Sequence, residues 1–250
     1  MQKEFTLKSQ HGGVIECAEE SQARPKGTVL ILHGLGGGKD GEMNKALSAV
    51  LVENGFRVVR FNASVGSFKS KEVGAIMRPT IDDLKKMVEH YSKKGNEKIG
   101  VIGLSHGGTA AVFAASEEPR ISALVTLAAQ VLPDFAQLPK NRRIAEILLR
   151  EKKAELPLGK WRALFKEEFV HERKNFNTFH ALEKIKCPVL FLQGDSDKFS
   201  PKEHTLLAHA SFKGTKAMAD VPSNGHNYEA MPSIEAVTQL SLGWFTKHLA

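Results

Sequence analysis

The chain has 250 residues, of which 42% are hydrophobic and 25% are charged, and its formal net charge is +7. This composition is typical of one globular domain with a large core, and it contains no low-complexity tract or internal repeat. No apolar run reaches the roughly 18 residues that a membrane span needs, and no apolar segment follows the N-terminal charges. We therefore expect a soluble cytoplasmic protein without a membrane partner.

The distribution of cysteines and charges further limits the classes of function that we expect. Cys17 and Cys187 are far apart and lack the Cys/His spacing of a zinc or redox site, so we expect no metal. We expect no cofactor either. Eleven Lys/Arg against six Glu lie between Lys140 and Lys174, so most of the positive charge belongs to this one segment. Because glutamates are interspersed there, a solvated face is favoured over a role in attracting anionic ligands. No aromatic or glycine-rich motif that could bind nucleic-acid bases accompanies these positive charges, so we expect no nucleic-acid partner.

In chain order, the pattern begins with a predicted antiparallel hairpin. Residues 4–20 form two strand-like stretches around His11-Gly12-Gly13. Short apolar runs bounded by Gly, Pro or Asn then predict strands buried on both faces, at 28–34, 57–62, 98–104, 123–129, 188–194 and 216–222. Amphipathic stretches between them predict helices, at 41–54, 80–94, 106–118, 201–211 and 233–249. This alternation predicts an α/β fold with a mainly parallel sheet of about eight strands, an antiparallel N-terminal edge and helices on both faces.

Residues 130–182 interrupt the alternation. About fifty residues between two predicted strands are too many for a turn, and they include "RRIAEILLREKKAEL" and "KWRALFKEEFVHERKNF", which we interpret as helical. The sequence thus predicts a single domain over residues 1–250, with a small helical cap inserted at about 130–182.

The segment "IGLSHGG" at 102–108 places one serine between glycines, directly after a predicted strand and before a predicted helix. A chain that turns from strand to helix within about three residues strains the residue at the apex and crowds its neighbours. Gly103 and Gly107 remove the side chains that would collide there. Ser105 should then stand at the carboxyl end of a central strand, with the unsatisfied amide of His106 beginning the helix behind it.

A serine hydroxyl becomes a strong nucleophile only when a base removes its proton and a third group orients that base. Later loops supply candidates for both partners. "FLQGDSDKFSP" offers Asp195 and Asp197 after one predicted strand, and "VPSNGHNYE" offers His226 after the last. Asp134, which follows the preceding strand, is a further candidate for the acid.

Four pieces of the sequence, "LHGLGGG", "GLSHGG", "GDSDKFSP" and "NGHN", together resemble the α/β-hydrolase superfamily over nearly the whole chain. The resemblance implies that Ser105 is the nucleophile, His226 the general base and Asp197 the acid, which in the family lies three residues past the glycine. It also implies that the backbone amides of Leu35 and His106 form the oxyanion hole. Further candidates for the substrate pocket are His33, Gly36, Phe135 and Trp161.

Fold and triad do not by themselves fix the substrate of such a protein. A serine at the turn from strand to helix argues against dehalogenases and epoxide hydrolases. The type of reaction that remains is transfer of an acyl group to water. The short charged cap favours a carboxylesterase acting on small or medium soluble esters, like small bacterial and archaeal esterases that include cinnamoyl and feruloyl esterases. The sequence also resembles serine aminopeptidases and monoacylglycerol hydrolases, so peptidase, thioesterase or acylglycerol hydrolase activity is the alternative. A non-catalytic hydrolase-fold binding protein is less favoured.

One segment departs from these relatives. Many of them carry a charged Asp-x-Arg-Gly-x-Gly loop where this chain has "RFNASVGSF" at 60–68. The departure leaves the subfamily open, but it does not touch Ser105, Asp197 or His226.

Overall fold

A central eight-stranded sheet organises the computed structural model, which describes residues 2–95, 98–130, 139–158, 161–226 and 228–249. The strands are β1 (Gln2–Lys8), β2 (Val14–Glu20), β3 (Thr28–Leu32), β4 (Arg57–Asn62), β6 (Ile99–Leu104), β7 (Ile121–Leu127), β10 (Val189–Gly194) and β11 (Lys216–Val221). Their spatial order is β1-β2-β4-β3-β6-β7-β10-β11. Pairing is antiparallel between β1, β2 and β4 and parallel across the rest of the sheet.

Two helical layers cover this sheet. One layer contains α1 (Glu42–Glu53) and α8 (Met231–Leu249), which contact each other. The other contains α2 (Met77–Ser92), α3 (His106–Glu117), α6 (Thr178–Lys184) and α7 (Lys202–Ser211). Because both faces are covered, strands such as β3 are buried along their whole length, as expected of parallel strands. This architecture confirms the predicted fold class.

The predicted elements of the sheet and its helices match the observed ones to within about three residues at each end. The strand 57–62 is predicted with its observed bounds, and the helix predicted at 80–94 begins three residues earlier, at Met77. The apolar stripe of α2, which includes Ile81, Leu84 and Met87, is fully buried. Hydrophobic periodicity therefore located these elements correctly.

The insertion is only partly helical. It contains α4 (Pro139–Glu151), α5 (Glu168–Arg173) and α6, but 153–158 and 161–166 form an antiparallel hairpin of β8 (Lys153–Leu158) and β9 (Trp161–Lys166). A two-residue strand, β5 (Glu72–Val73), extends it to three strands. The prediction that these segments are helical is wrong. Alternate residues of the hairpin face inward, and Pro157 is a residue that a helix interior excludes.

The charges of this insertion lie mostly on its surface. Lys152 pairs with Glu167, Lys166 with Glu72, and Arg162 with Glu155, at nitrogen-to-oxygen distances of 2.6–3.3 Å. The side chains in these pairs are largely exposed, which agrees with a solvated face. In the part of the chain that the structure describes, no helix combines the length and apolarity needed to cross a bilayer.

Helix α5 is fastened to the core through one carboxylate. Glu172 accepts hydrogen bonds from the backbone N–H groups of Ile76, Met77 and Arg78, at 2.7–2.8 Å. These groups lie at the start of α2, where helical N–H groups lack intrahelical partners and where the helix dipole favours negative charge. A side chain from the insertion thus caps a core helix.

Glu172→Ala should therefore lower the free energy of unfolding by about 2 kcal/mol, because three N–H groups lose a charged acceptor. Urea denaturation followed by circular dichroism measures this change. Glu168→Ala, at an exposed position of the same helix, is the control and should stay within about 0.5 kcal/mol of wild type. Equal stability of the two variants would contradict the capping role.

Candidate active site

Ser105 occupies the sharp turn between β6 and α3. Its backbone has φ +53° and ψ −117°, a conformation that costs a non-glycine residue about 1–3 kcal/mol. Both flanking glycines are required by close contacts: a Cβ on Gly103 would lie 2.4 Å from the Gly107 carbonyl oxygen, and one on Gly107 would lie 2.4 Å from that of His33. The predicted reason for these glycines is thereby observed directly.

Three side chains from distant loops meet at this turn. His226 Nε2 lies 2.8 Å from Ser105 Oγ, and His226 Nδ1 lies 2.7 Å from Asp197 Oδ2. Asp197 follows β10 and His226 follows β11, so the carboxyl ends of parallel strands bring them to the same edge of the sheet. The three predicted residues therefore form one continuous row of hydrogen bonds.

The Asp197 carboxylate is buried and accepts hydrogen bonds at both oxygens. Oδ1 accepts from the amides of Phe199 and Ser200, both at 2.9 Å, while Oδ2 accepts from His226 and from the Tyr228 hydroxyl. Burial alone would raise the pKa of Asp197, but the bonds from His226, Ser200 and Tyr228 outweigh it and hold that pKa below its usual value. The carboxylate is thus ionised and able to orient the imidazole through Nδ1–H.

Tyr228 is a part of the site that sequence reasoning missed. Its hydroxyl donates to Asp197 Oδ2 at 2.7 Å and accepts from the Gly194 amide at 3.0 Å. Burial raises the pKa of this phenol, so it remains a donor. The residue has φ +51°, which is rare for a bulky side chain and is compatible with strain held at a functional site. Its place two residues after His226 was the only available sequence signal.

Two backbone amides beside Ser105 fit an oxyanion hole. Leu35 and His106 donate their N–H groups to no acceptor among the described residues. The loop of Leu35 approaches Ser105 closely, since a Cβ on Gly34 would lie 3.3 Å from the Ser105 Cβ. The Leu35 side chain packs against the cluster under the cap, which includes Leu158 and Phe165, so the amide is held in place. They are the two amides that the sequence resemblance implies for this role, and the role stays a prediction.

The segment 60–68, where the sequence departs from many relatives, supports the loop that carries the Leu35 amide. Asn62 Oδ1 accepts from the Lys39 amide at 2.6 Å, and Arg60 Nη1 donates to the Lys39 carbonyl oxygen at 2.8 Å. The ring of Phe68 covers Gly38, where a Cβ would lie only 2.8 Å away. The unusual residues therefore brace the far end of the loop that carries the Leu35 amide.

The imidazoles of His33 and His106 lie in the interior. His33 Nδ1 is 2.7 Å from the Gly34 carbonyl oxygen, so this ring braces its own loop. His106 lies between the Thr80 hydroxyl, 3.3 Å from Nε2, and Arg173 Nη2, 3.1 Å from Nδ1. Burial, reinforced by the charge of Arg173, holds the pKa of His106 well below its usual value, so the ring is neutral. The insertion thus contacts the residue next to Ser105 directly.

The remaining candidates for the pocket and for the acid lie in different surroundings. Gly36 has φ +75° and contacts Leu158 of β8, while Trp161 at the start of β9 is 59% exposed. Asp195 accepts hydrogen bonds from the Ser223 amide and hydroxyl, so it fastens the turn instead of contacting His226. Phe135 and the alternative acid Asp134 lie outside the described residues.

The fold and the geometry of the site are those of the α/β-hydrolase class. The family model described as "alpha/beta hydrolase fold" matches residues 27–154, which is just over half of the sequence, and the chain belongs to this family. Family membership supports hydrolase chemistry. The match includes the Leu35 loop and the Ser105 turn.

Solved structures show the same fold at low sequence identity. The α/β hydrolase GrgF from Penicillium sp. sh18 is 14% identical, with a TM-score of 0.82 and coverage of 100% of this chain and 99% of that one. The esterase domain of a Rhodothermus marinus protein is 17% identical, with a TM-score of 0.76 and full coverage of both chains. Est1E from Butyrivibrio proteoclasticus is 20% identical, with a TM-score of 0.76 and coverage of 97% and 99%. No curated protein sequence matches the chain.

The two tyrosines of the chain allow a matched test of Tyr228. Tyr228→Phe should lower kcat about ten-fold, which is about 1.4 kcal/mol in activation free energy, with little change in KM, because Asp197 loses one of its hydrogen-bond donors and orients His226 less firmly. Tyr91→Phe is the control: Tyr91 is equally buried and donates to Glu19 at the same 2.7 Å, but on α2 away from the site. Steady-state kinetics of hydrolysis should separate the two variants. Equal kcat values would rule out a role for Tyr228 in positioning Asp197.

Acid titration tests the state of Asp197. Because its folded pKa is depressed, its stabilising contribution is complete above the unfolded value of about 3.9 and is lost as pH falls through the folded value. Asp197→Asn should therefore be less stable than wild type at pH 7, and the difference in the free energy of unfolding should shrink as pH falls below about 4. Urea denaturation across this range measures it. A difference that is independent of pH would contradict an ionised Asp197.

Proposed function

We propose that the protein is a serine hydrolase that cleaves carboxylic esters of small or medium soluble substrates through an acyl-enzyme intermediate. The observation that carries the proposal is the row of hydrogen bonds from Ser105 Oγ through His226 to Asp197, on a strained turn between two close-packed glycines. This arrangement meets the geometric requirement for an activated serine nucleophile. The esterase neighbours support the fold on which such a site is built.

In the proposed first step, His226 Nε2 takes the proton of Ser105 Oγ as that oxygen attacks the ester carbonyl carbon. Negative charge moves to the carbonyl oxygen, and the amides of Leu35 and His106 stabilise it; one such donor contributes about 10²–10³-fold in kcat. The imidazolium is stabilised by the ionised Asp197. It then gives its proton to the ester oxygen of the alcohol, which leaves as the acyl-enzyme forms.

The second half repeats these roles with water. His226 takes a proton from water, the resulting nucleophile attacks the acyl carbon, and the same two amides stabilise the second oxyanion. The proton then returns to Ser105 Oγ, and the carboxylic acid leaves. Each residue returns to its starting state, so the proposed cycle needs no cofactor.

The cap contributes to the proposed pocket through its hairpin. Trp161, Ala163 and Phe165 alternate along β9 and share one face, and Leu158 is the pairing partner of Trp161. Ala163 and Phe165 are buried on that face, and Leu158 contacts Gly36, but Trp161 keeps most of its surface exposed. We assign Trp161 to the rim of the pocket, next to the loop that carries the Leu35 amide.

Labelling with a fluorophosphonate tests the proposal. Wild type should be labelled covalently and Ser105→Ala should not, because phosphonylation needs the activated hydroxyl. Ser116→Ala, which removes a serine from the same helix α3 away from the turn, should be labelled like wild type. Ser105→Ala should also lower the hydrolysis of p-nitrophenyl esters by at least about 10⁴-fold. A folded wild type that neither reacts with the probe nor hydrolyses any ester would contradict the proposal.

A parallel panel of p-nitrophenyl esters and aminoacyl anilides distinguishes esterase from peptidase. We expect turnover of the esters and at least about 100-fold lower kcat/KM for the anilides. Faster turnover of the anilides would overturn the assignment of esters as substrates while leaving the roles of Ser105 and His226 intact.

A further inference from the structure

An exposed aromatic ring lies against the imidazole that the proposed function uses as its base. The ring centroids of Phe199 and His226 are 4.7 Å apart, with the planes tilted by 41°. Phe199 is 47% exposed, so much of the ring remains uncovered. Scattered exposed apolar residues are common on protein surfaces, but this one directly contacts the site.

Two hydrogen bonds hold the backbone that carries the Phe199 ring. The Phe199 amide donates to Asp197 Oδ1 at 2.9 Å, and the next amide, of the buried Ser200, donates to the same oxygen at 2.9 Å. These two bonds tie the backbone that carries the ring to the carboxylate that orients His226. One carboxylate therefore holds both the imidazole and the backbone of Phe199, as the support of a specificity surface requires.

The chemistry of His226 determines which part of a substrate would contact this ring. In the proposed cycle, Nε2 protonates the ester oxygen of the leaving alcohol, so that oxygen must come within hydrogen-bond distance of the ring. The first atoms of the alcohol then lie beside the imidazole. Among the described residues, the rings that contact the imidazole are those of Phe199 and Tyr228, and Tyr228 is only 2% exposed. Phe199 alone of these two presents an open face.

We propose that Phe199 forms the leaving-group subsite and that the preferred substrates are esters of apolar primary alcohols, with aromatic alcohols such as benzyl alcohol favoured most. This inference rests on the proposed function, since it uses the role of His226 as proton donor. Contact between an apolar alcohol and the open ring removes apolar surface of both groups from water. An aromatic alcohol gains offset or edge-to-face ring contact in addition.

The preference should be visible in a series that varies only the alcohol. Ethyl, butyl and benzyl esters of one common acid, the acyl group best accepted in the p-nitrophenyl panel, leave alcohols of similar acidity. For wild type we expect kcat/KM for the benzyl ester to exceed that for the ethyl ester by about ten-fold or more, as for other small apolar groups in hydrophobic subsites. Phe199→Ala should reduce this ratio to within about two-fold. Phe199→Leu should keep the preference for butyl over ethyl but lose that for benzyl over butyl.

Two controls distinguish a role of Phe199 in substrate specificity from a role in positioning His226. Leu206→Ala, on α7, removes an apolar side chain that is 48% exposed and should leave all ratios unchanged. The rate of phosphonylation by a small fluorophosphonate, whose leaving group is fluoride, should be the same in Phe199→Ala as in wild type. Because each ratio compares two substrates on one variant, partial misfolding cancels out.

The outcomes are distinct. A benzyl-to-ethyl ratio that survives in Phe199→Ala, or one near unity in wild type, would overturn the subsite while leaving the esterase assignment standing. Equal losses for all three esters with slower phosphonylation would make Phe199 a support for His226 and would also overturn the subsite. A wild type that reacts with neither probe nor ester would instead refute the proposed function, and the subsite with it.

Discussion

The backbone strain at Ser105 is the constraint on which the rest of the site depends. A residue with φ +53° and ψ −117° is unfavourable by itself, and it persists because the packing of β6, α3 and the Leu35 loop leaves no alternative. Gly103 and Gly107 permit backbones to meet at distances that any side chain would prevent. The result is a hydroxyl at the edge of the sheet, beside two amides without described acceptors.

A second constraint acts through the buried carboxylate of Asp197. Its two oxygens receive four hydrogen bonds, from the amides of Phe199 and Ser200, from His226 and from Tyr228. An ionised group is tolerated in the interior when its lone pairs are satisfied in this way. The carboxylate therefore connects the loop after β10 with the loop after β11. Through it, the position of the imidazole and that of the neighbouring aromatic ring are set together.

The insertion contacts the core at residues close to the candidate active site. Glu172 caps the start of α2, Arg173 contacts His106, and Leu158 covers Gly36 in the loop that carries the Leu35 amide. These contacts make the insertion a structural neighbour of both candidate oxyanion amides. Changes within it are therefore expected to alter the site itself as well as access to it.

The sequence by itself predicted a mainly parallel sheet, the succession of strands and helices along the chain, and the placement of Ser105, Asp197 and His226 directly after strands. These follow from local signals, since apolar periodicity, glycine spacing and the ends of strands are all readable within short windows. It misassigned 153–158 and 161–166 as helix, because alternation over six residues amid charges is easily confused with a helical pattern. Only the tertiary structure showed that Tyr228 contacts Asp197, that Phe199 contacts His226 and that Glu172 caps the start of α2. Their contacts join residues whose proximity depends on how loops and layers pack, and no local pattern encodes such distances.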